Sequence, residues 1–237
     1  MLIRLNKYIS EAGLCSRREA DNRISDGQIF VNNHKAVLGQ KIDPDIDKVF
    51  FDRKLVKKEN ILSYYAFYKP KGVVSTTEDP EKRSKILDFL PKGQRIYPVG
   101  RLDKESEGLM VLTNDGELTY LLTHPKYEHK KEYEVLAANQ KNKVFDQEKI
   151  KNNFEKGVLI DGILMKADKI YNFEIREDRV AFNIILHTGY HRQIRRMCGM
   201  FGLTVMNLKR IKLGKLSLSE LKIASGKYIN VKKSDII

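Results

Sequence analysis

Cysteine is scarce in this chain: Cys15 and Cys198 are the two among 237 residues. Two thiols cannot build a disulfide framework or a four-thiolate zinc site, and neither lies in a C-x-x-C pair. Long apolar runs are missing as well. No stretch approaches the ~18 residues of a membrane span, and the start, MLIRLNKYISEAGLCSRREAD, has no uninterrupted apolar core of secretory-signal length. The sequence also lacks a Walker A loop, H-E-x-x-H, a G-x-S-x-G elbow and a dinucleotide-binding glycine fingerprint after a strand. The histidines at 34, 124, 129, 187 and 191 have no metal-ligand spacing supported by cysteine or carboxylate partners. The expectation is a cytoplasmic protein in a reducing compartment, with no membrane segment and no metal.

Acid is the remaining scarcity. Residues 187–237 hold 11 basic and 2 acidic groups, whereas residues 1–62 hold 12 and 9, and residues 63–186 hold 21 and 20. Most of the formal net charge of +13 therefore sits in the last fifty residues. A segment this one-sided attracts polyanions through counterion release, and nucleic acid is the common intracellular polyanion. The same composition also suits a solvated, solubilising surface. A hydrophobic share of 41% is ample for a packed core.

The first forty residues pattern as helix, helix, hairpin. Leu5, Tyr8, Ile9 and Ala12 recur at helical spacing, and Gly13 follows as a stop. Ser16-Arg17-Arg18-Glu19 matches a capping box, with Ala20 and Ile24 continuing an apolar face to Gly27. Ile29–Val31, the pair Asn32-Asn33 and residues 34–37 read as strand, turn, strand. Arg17 and Arg18 oppose the helix dipole in the first turn, at a cost of a few tenths of a kcal/mol each. Local stability does not explain them. They suit phosphate binding at a helix N-terminus, and equally an ordinary exposed basic face.

Residues 53–62, RKLVKKENIL, form a charged linker or the last edge of this module. Beyond it, residues 64–68 and 73–77 read as strands around the turn KPKG, and residues 109–113, 133–137, 179–187 and 203–208 are also strand-like. Residues 117–122 and 193–201 pattern as helices. The fold expected is α+β: a small helix-helix-hairpin module over 1–62, then a domain over 63–237 built on a mixed, mainly antiparallel sheet.

The most distinctive segment is VGRLDKESEGL at 99–109, which places Asp103 between Arg101 and Lys104 in a loop leading into an apolar strand. Neighbouring cations hold a carboxylate ionised, ready to act as base or nucleophile, and they also attract phosphate. An isolated R-L-D would be an ordinary surface turn. Here it is accompanied by KPKGVVST at 69–76, GRLDKESEGLMVLTNDGEL at 100–118, KKEYEV at 130–135 and TGYHRQIRRMCGMFG at 188–202. In this order, these segments resemble the motifs of the RsuA/RluB/RluF family of pseudouridine synthases. NKYISEAGLCSRREADNRISDGQIFVN at 6–32 is similar to the small RNA-binding domain shared with a small-subunit ribosomal protein. The resemblance runs from about residue 4 to near residue 230.

That resemblance implies an RNA pseudouridine synthase acting on one uridine of large-subunit ribosomal RNA, with a transfer RNA as an optional second substrate. It makes Asp103 the essential aspartate, acting either by addition to the sugar or by removing a ribose proton. Tyr133 becomes the aromatic that packs on the target base. Arg195 becomes the basic partner of the aspartate, although Arg192 or Arg196 could take that place. Arg101 would fill the gap left by a flipped nucleotide, and Leu213 would line the pocket. Arg17, Arg18, Arg192 and Arg196 are the RNA-binding candidates. No cofactor is implied, and a monomer is the default state.

Residues 75–83 and the N-terminus look most like the RluF branch, and residues 112–125 as much like RluB. Asn230 stands where an arginine is common in the family, which puts a contact there in doubt. Two other function classes compete. A non-catalytic RNA-binding assembly factor could dispense with Asp103, Tyr133 and Arg195 together. A carboxylate-dependent nuclease would need an acidic metal cluster beside Asp103.

Overall fold

The computed structural model describes every residue except 58–60, 78, 80, 82, 91, 92, 94, 140–145 and 177. Part of the expected linker over 53–62 and three positions of the 75–83 segment thus lie outside the described residues. The chain divides into two compact units. One comprises residues 1–63 with 92–95 and 114–116, and the other the remainder from residue 64 onward.

The first unit contains β1 (Ile3–Arg4), α1 (Leu5–Glu11), α2 (Arg17–Ser25), β2 (Ile29–Val31), β3 (His34–Lys35), β4 (Lys41–Ile42), β5 (Val49–Phe51) and β6 (Lys54–Leu55). Ser16 caps α2, its hydroxyl accepting the Glu19 N–H at 3.1 Å. Only half of the expected capping box forms, because the Glu19 carboxylate instead takes Arg23 Nε at 3.1 Å, one turn on. Leu5, Tyr8 and Ile9 pack against Ala20, Ile24, Ile29 and Val49 in one apolar cluster. Asn32 and Asn33 adopt φ values of 48° and 70°, the left-handed pair a tight hairpin requires, and asparagine tolerates that region. A second hairpin, β5–β6, completes the four-stranded order β3-β2-β5-β6.

The second unit holds β7 (Tyr64–Lys69), β8 (Tyr97–Pro98), β9 (Glu107–Thr113), α3 (Gly116–Thr123), β10 (Lys131–Asn139), α4 (Gln147–Lys156), β11 (Val158–Ile160), β12 (Ile163–Met165), β13 (Lys169–Arg176), β14 (Arg179–Leu186), α5 (Gln193–Met200), β15 (Leu203–Leu213), β16 (Leu216–Ser217), α6 (Leu218–Leu221), β17 (Tyr228–Asn230) and α7 (Lys233–Ile236). Its sheet runs β13-β14-β10-β15-β9-β7-β17, with β16 beside β15 and β8 beside β9. The pairing is antiparallel except where β9 meets β15: there Lys209 faces Glu107 and Arg210 faces Gly108 in parallel register. That short seam joins two antiparallel ribbons, one carrying β7, β9 and β17 and the other β10, β13, β14 and β15.

Side-chain alternation fixes which face each strand buries. On β14, Val180, Phe182, Ile184 and Leu186 are buried in turn, and Tyr133, Val135 and Ala137 do the same on β10. They pack with Phe154 of α4 and Ile194 and Met197 of α5 in the larger cluster. The opposite face holds Ala66, Leu109 and Val111 under Leu118, Leu122 and Ile236. β9 is therefore covered on both sides, which matches its continuous apolar sequence.

Two sequence expectations change here. Residues 73–77 do not form a strand: Val74 makes only an isolated bridge with Lys85, because the Ser75 side chain is committed to the loop at Leu102. Leu213 packs in the second cluster with Leu122, Leu216 and Ile236. β15 carries a register irregularity opposite Glu132 and Tyr133, and Leu213 lies beyond it at the far end of the strand.

At the seam, Gly108 has φ of 110°, and a Cβ there would lie 2.3–2.9 Å from the Arg210 backbone. No side chain fits without parting the strands. Gly72 has φ of 83° but open space around it. Gly108→Ala should therefore abolish folding or cost several-fold more stability in urea unfolding than Gly72→Ala, for which about 1 kcal/mol is expected. Equal costs would contradict the close approach.

Candidate active site

In the second unit, a cleft of about 480 Å³ opens between the loop before β9, β10 and the turn leading into α5. That size falls in the usual range for small-molecule sites, about 300–1,000 Å³. Asp103, Arg101, Tyr133 and Arg192 all line it, with Leu102, Leu186, Ile194 and Leu208 as apolar wall.

The Asp103 loop is held by backbone contacts on both sides. The Ser75 hydroxyl donates to the Leu102 carbonyl at 2.6 Å and accepts the Leu102 N–H at 3.1 Å. The Gly72 N–H donates to the Lys104 carbonyl at 2.8 Å, and the Ser106 N–H to the Asp103 carbonyl at 3.0 Å. Beneath the loop, Lys69 is fully buried, its Nζ donating to the carbonyls of Ser106 at 2.6 Å and Pro70 at 2.9 Å. Burial pulls the Lys69 ammonium down to about 8, against the opposing attraction of Glu105, Asp103 and Glu107. The strand-and-turn sequence YKPKG thus places a cation directly under an acidic loop.

Two guanidinium groups face the Asp103 carboxylate. Arg192 Nη1 lies 3.7 Å from Asp103 Oδ2 and 3.7 Å from Glu105 Oε2. Arg195 Nε lies 3.9 Å from the same Asp103 oxygen. Arg195 also donates through Nη1 to the Val205 carbonyl at 2.9 Å, and through Nη2 to the Ser106 hydroxyl at 3.3 Å and the Glu105 carbonyl at 3.4 Å. Its Nε is buried without a hydrogen-bond acceptor among the described residues. Burial, then the nearby Arg192 charge, lowers the Arg195 pKa, and Asp103 and Glu105 oppose that shift.

Arg192 occupies the N-cap of α5 at φ of 52°, an unusual conformation for a non-glycine residue. The turn is braced by buried Gln193, whose Oε1 accepts from the Thr188 hydroxyl at 2.9 Å and the Tyr190 N–H at 3.3 Å. Gln193 Nε2 donates to the Lys166 carbonyl at 3.2 Å.

The remaining candidates divide. Arg101 is exposed at the cleft, and Tyr133 is buried on β10 among the lining residues. Arg196 points elsewhere on α5, its Nη2 2.5 Å from Asp161 Oδ2. Leu213 does not line the cleft; Leu208, five residues earlier, takes that role. Arg17 and Arg18 are exposed on α2 of the first unit, where Arg17 Nη2 reaches Asn6 Oδ1 at 3.4 Å. Sequence reasoning missed Lys69, Ser75 and Gln193. The signal was present in KPKGVVST and HRQIRR, but their roles depend on loops brought together from distant segments.

Residues 63–199 match the model for RNA pseudouridylate synthase, and residues 3–45 match the S4 domain. The chain belongs to the RNA pseudouridylate synthase family. It is 42% identical over 218 residues to the dual-specificity RNA pseudouridine synthase RluF of Escherichia coli (strain K12), covering 92% of this chain and 72% of that protein. A ribosomal large subunit pseudouridine synthase B of Xanthomonas axonopodis pv. citri (strain 306) is 37% identical over 225 residues, covering 91% of this chain and 40% of that longer protein. A solved pseudouridylate synthase structure aligns with a TM-score of 0.67 at 26% identity, covering 99% of this chain and 98% of that one. Membership in this family makes the chain a pseudouridine synthase, with a mixed α and β architecture and an S4 domain at its N-terminal end.

The buried lysine gives the site a pH signature. In the unfolded synthase Lys69 keeps its ordinary value of 10.5, and in the folded one it falls to about 8. Between those values the unfolded chain binds more protons, so folding becomes more favourable as pH rises through the window. Urea unfolding at successive pH values should show wild-type stability rising relative to Lys69→Met from about pH 8 to about 10.5. Parallel curves would remove the assignment.

Proposed function

We propose that this synthase isomerises one uridine of large-subunit ribosomal RNA to pseudouridine, with Asp103 as the essential carboxylate. The observation that carries this reading is the Asp103 loop, fixed at Leu102, Lys104 and Ser106 and set in a cleft with Tyr133 and two arginines. The reaction breaks the bond from ribose C1' to base N1 and forms one from C1' to C5; a proton leaves C5 and one is taken up at N1. An ionised carboxylate serves both available routes, addition at C1' or removal of the ribose C2' proton. Arg192 and Arg195 set two cations beside that carboxylate. Their separations from Asp103 exceed hydrogen-bond length, and such contacts commonly tighten when substrate fills the site.

Tyr133 offers an aromatic face to a uracil taken out of its stack. Arg101, at the cleft, is placed to hold phosphate or enter the gap the flipped nucleotide leaves. The module over residues 1–62 docks the RNA through Arg17 and Arg18 at the α2 N-terminus, and residues 63–237 perform the isomerisation. Arg192 adds backbone contacts, and Arg196, paired with Asp161, contributes on the outer side of α5. The target class is supported by the names of the relatives, which include a ribosomal large subunit synthase and a dual-specificity RNA synthase; a transfer RNA is the optional second substrate of this reading. The working form is a cytoplasmic monomer.

Pseudouridine mapping by carbodiimide block and primer extension, in cells with and without the gene, tests the reaction. One stop in large-subunit RNA should disappear with the gene and return with wild type but not with Asp103→Asn. The purified Asp103→Asn protein should form no pseudouridine while its RNA affinity changes less than about threefold. Comparable activity in that variant would remove the assignment of Asp103.

Arg17→Ala combined with Arg18→Ala should weaken RNA binding and lower the slope of log affinity against log salt by about 1.5, the contribution of two phosphate contacts. An unchanged slope would count against docking through α2.

A further inference from the structure

Beside the cleft lies a group of rings that the reaction leaves unused. Tyr120 on α3, His124 and Tyr127 sit within one short stretch, with Tyr120 47% and Tyr127 36% exposed. The Tyr120 and His124 ring centres are 4.8 Å apart, those of Tyr120 and Tyr127 5.8 Å, and those of His124 and Tyr127 6.2 Å. Lys126 Nζ stands 4.7 Å from the Tyr127 ring centre and 6.0 Å from that of Tyr120. His124 Nδ1 accepts the Lys126 N–H at 3.3 Å, which leaves Nε2 as the proton-bearing nitrogen of the neutral ring.

Scattered surface aromatics are ordinary, but three rings gathered in solvent, two of them around one cation, are not explained by packing. The group is also next to the site. Thr123, the last residue of α3, has its methyl 3.8 Å from the point where a Cβ on cleft-lining Gly100 would sit. The same segment runs on through residues 128–130 into β10 and Tyr133. Across residues 118–131 the one acidic residue is Glu128, against Lys126, Lys130 and Lys131.

We propose that Tyr120, His124 and Tyr127, with Lys126, form a second nucleobase-stacking site that holds an unpaired nucleotide of the RNA flanking the uridine in the cleft. Aromatic faces with an adjacent cation are the chemistry that binds single-stranded RNA: the rings stack on bases of any sequence and the ammonium meets the backbone. Continuity with the uridine cleft and the excess of lysine over acid across residues 118–131 favour RNA over a peptide. The proposal rests on the reading of this synthase as an RNA-modifying enzyme, and it adds a binding subsite outside the reacting atoms.

The test is binding of a fluorescein-labelled, uridine-rich single-stranded 15-nucleotide RNA to the full chain, followed by anisotropy at several salt concentrations. Tyr120→Ala with Tyr127→Ala should weaken binding about tenfold or more with an unchanged salt slope, because stacking releases no counterions. Tyr120→Phe with Tyr127→Phe should bind like wild type, since the faces remain. Lys126→Ala should lower the slope by about 0.7, one single-strand phosphate contact. On ribosomal RNA the alanine pair should raise KM and leave kcat unchanged. Thermal melting of each variant, expected within a few degrees of wild type, controls for folding.

Binding by the alanine pair within twofold of wild type would overturn the proposal. So would an equal loss in the phenylalanine pair, which would assign the effect to the hydroxyls. Retained RNA affinity with lost binding of an acidic peptide would reassign the surface to a protein partner. If the alanine pair loses RNA affinity but wild type forms no pseudouridine, the subsite stands and the reading of the reaction falls. If pseudouridine forms and affinity is unchanged, the reverse holds.

Discussion

The large sheet is two antiparallel ribbons joined by one short parallel contact, and the site depends on how that seam is held. Arg210 is buried and donates through Nε to the Leu109 carbonyl at 2.6 Å, crossing the seam from β15 to β9. Arg195 crosses above it, with one end on Val205 and the other on Glu105 and Ser106. Asp103 belongs to the ribbon with β9, whereas Tyr133 and both facing arginines belong to the other. A buried guanidinium is costly to desolvate, and carbonyl partners on two elements repay that cost only in one relative placement. The same groups that fix the sheet therefore set the distance between the Asp103 carboxylate and Tyr133.

Charge around Asp103 is arranged as competition. Arg192 and Arg195 repel one another, and Glu105 shares Arg192 with Asp103 at equal distance. Lys69 supports the loop from below without a direct carboxylate contact, through neutral carbonyl groups. Arg192 thus divides its charge between two carboxylates, while Arg195 is tied mainly to backbone carbonyls. The division follows exposure: Arg192 is 42% exposed and Arg195 12%.

Much of this was legible in the sequence, for reasons that differ by element. The α2 start was readable because Ser16 acts locally, although Glu19 chose the side-chain pair over the backbone. The Asn32-Asn33 hairpin was readable because backbone geometry there selects the residue. Asp103, Tyr133 and Arg195 were singled out through ordered motifs; Asp103 and Tyr133 line the cleft, and Arg195 Nε lies 3.9 Å from the Asp103 carboxylate. Leu213 was assigned to the pocket through the resemblance alone, and the fold packs it with Leu122, Leu216 and Ile236 instead. Residues 73–77 look like a strand by composition, yet Ser75 spends its hydroxyl on a loop 27 residues away. Lys69 reads as a turn lysine, and only the fold buries it.

The left-handed backbone at Arg192 carries a cost of about 1 kcal/mol that glycine would not pay. Glycine would relax the turn and remove the guanidinium from the cleft. Stability and the charge lining the cleft are thus set against each other at this one position. A thermostabilising screen that ignored turnover would be drawn to this turn and would return a sturdier protein with an emptied site.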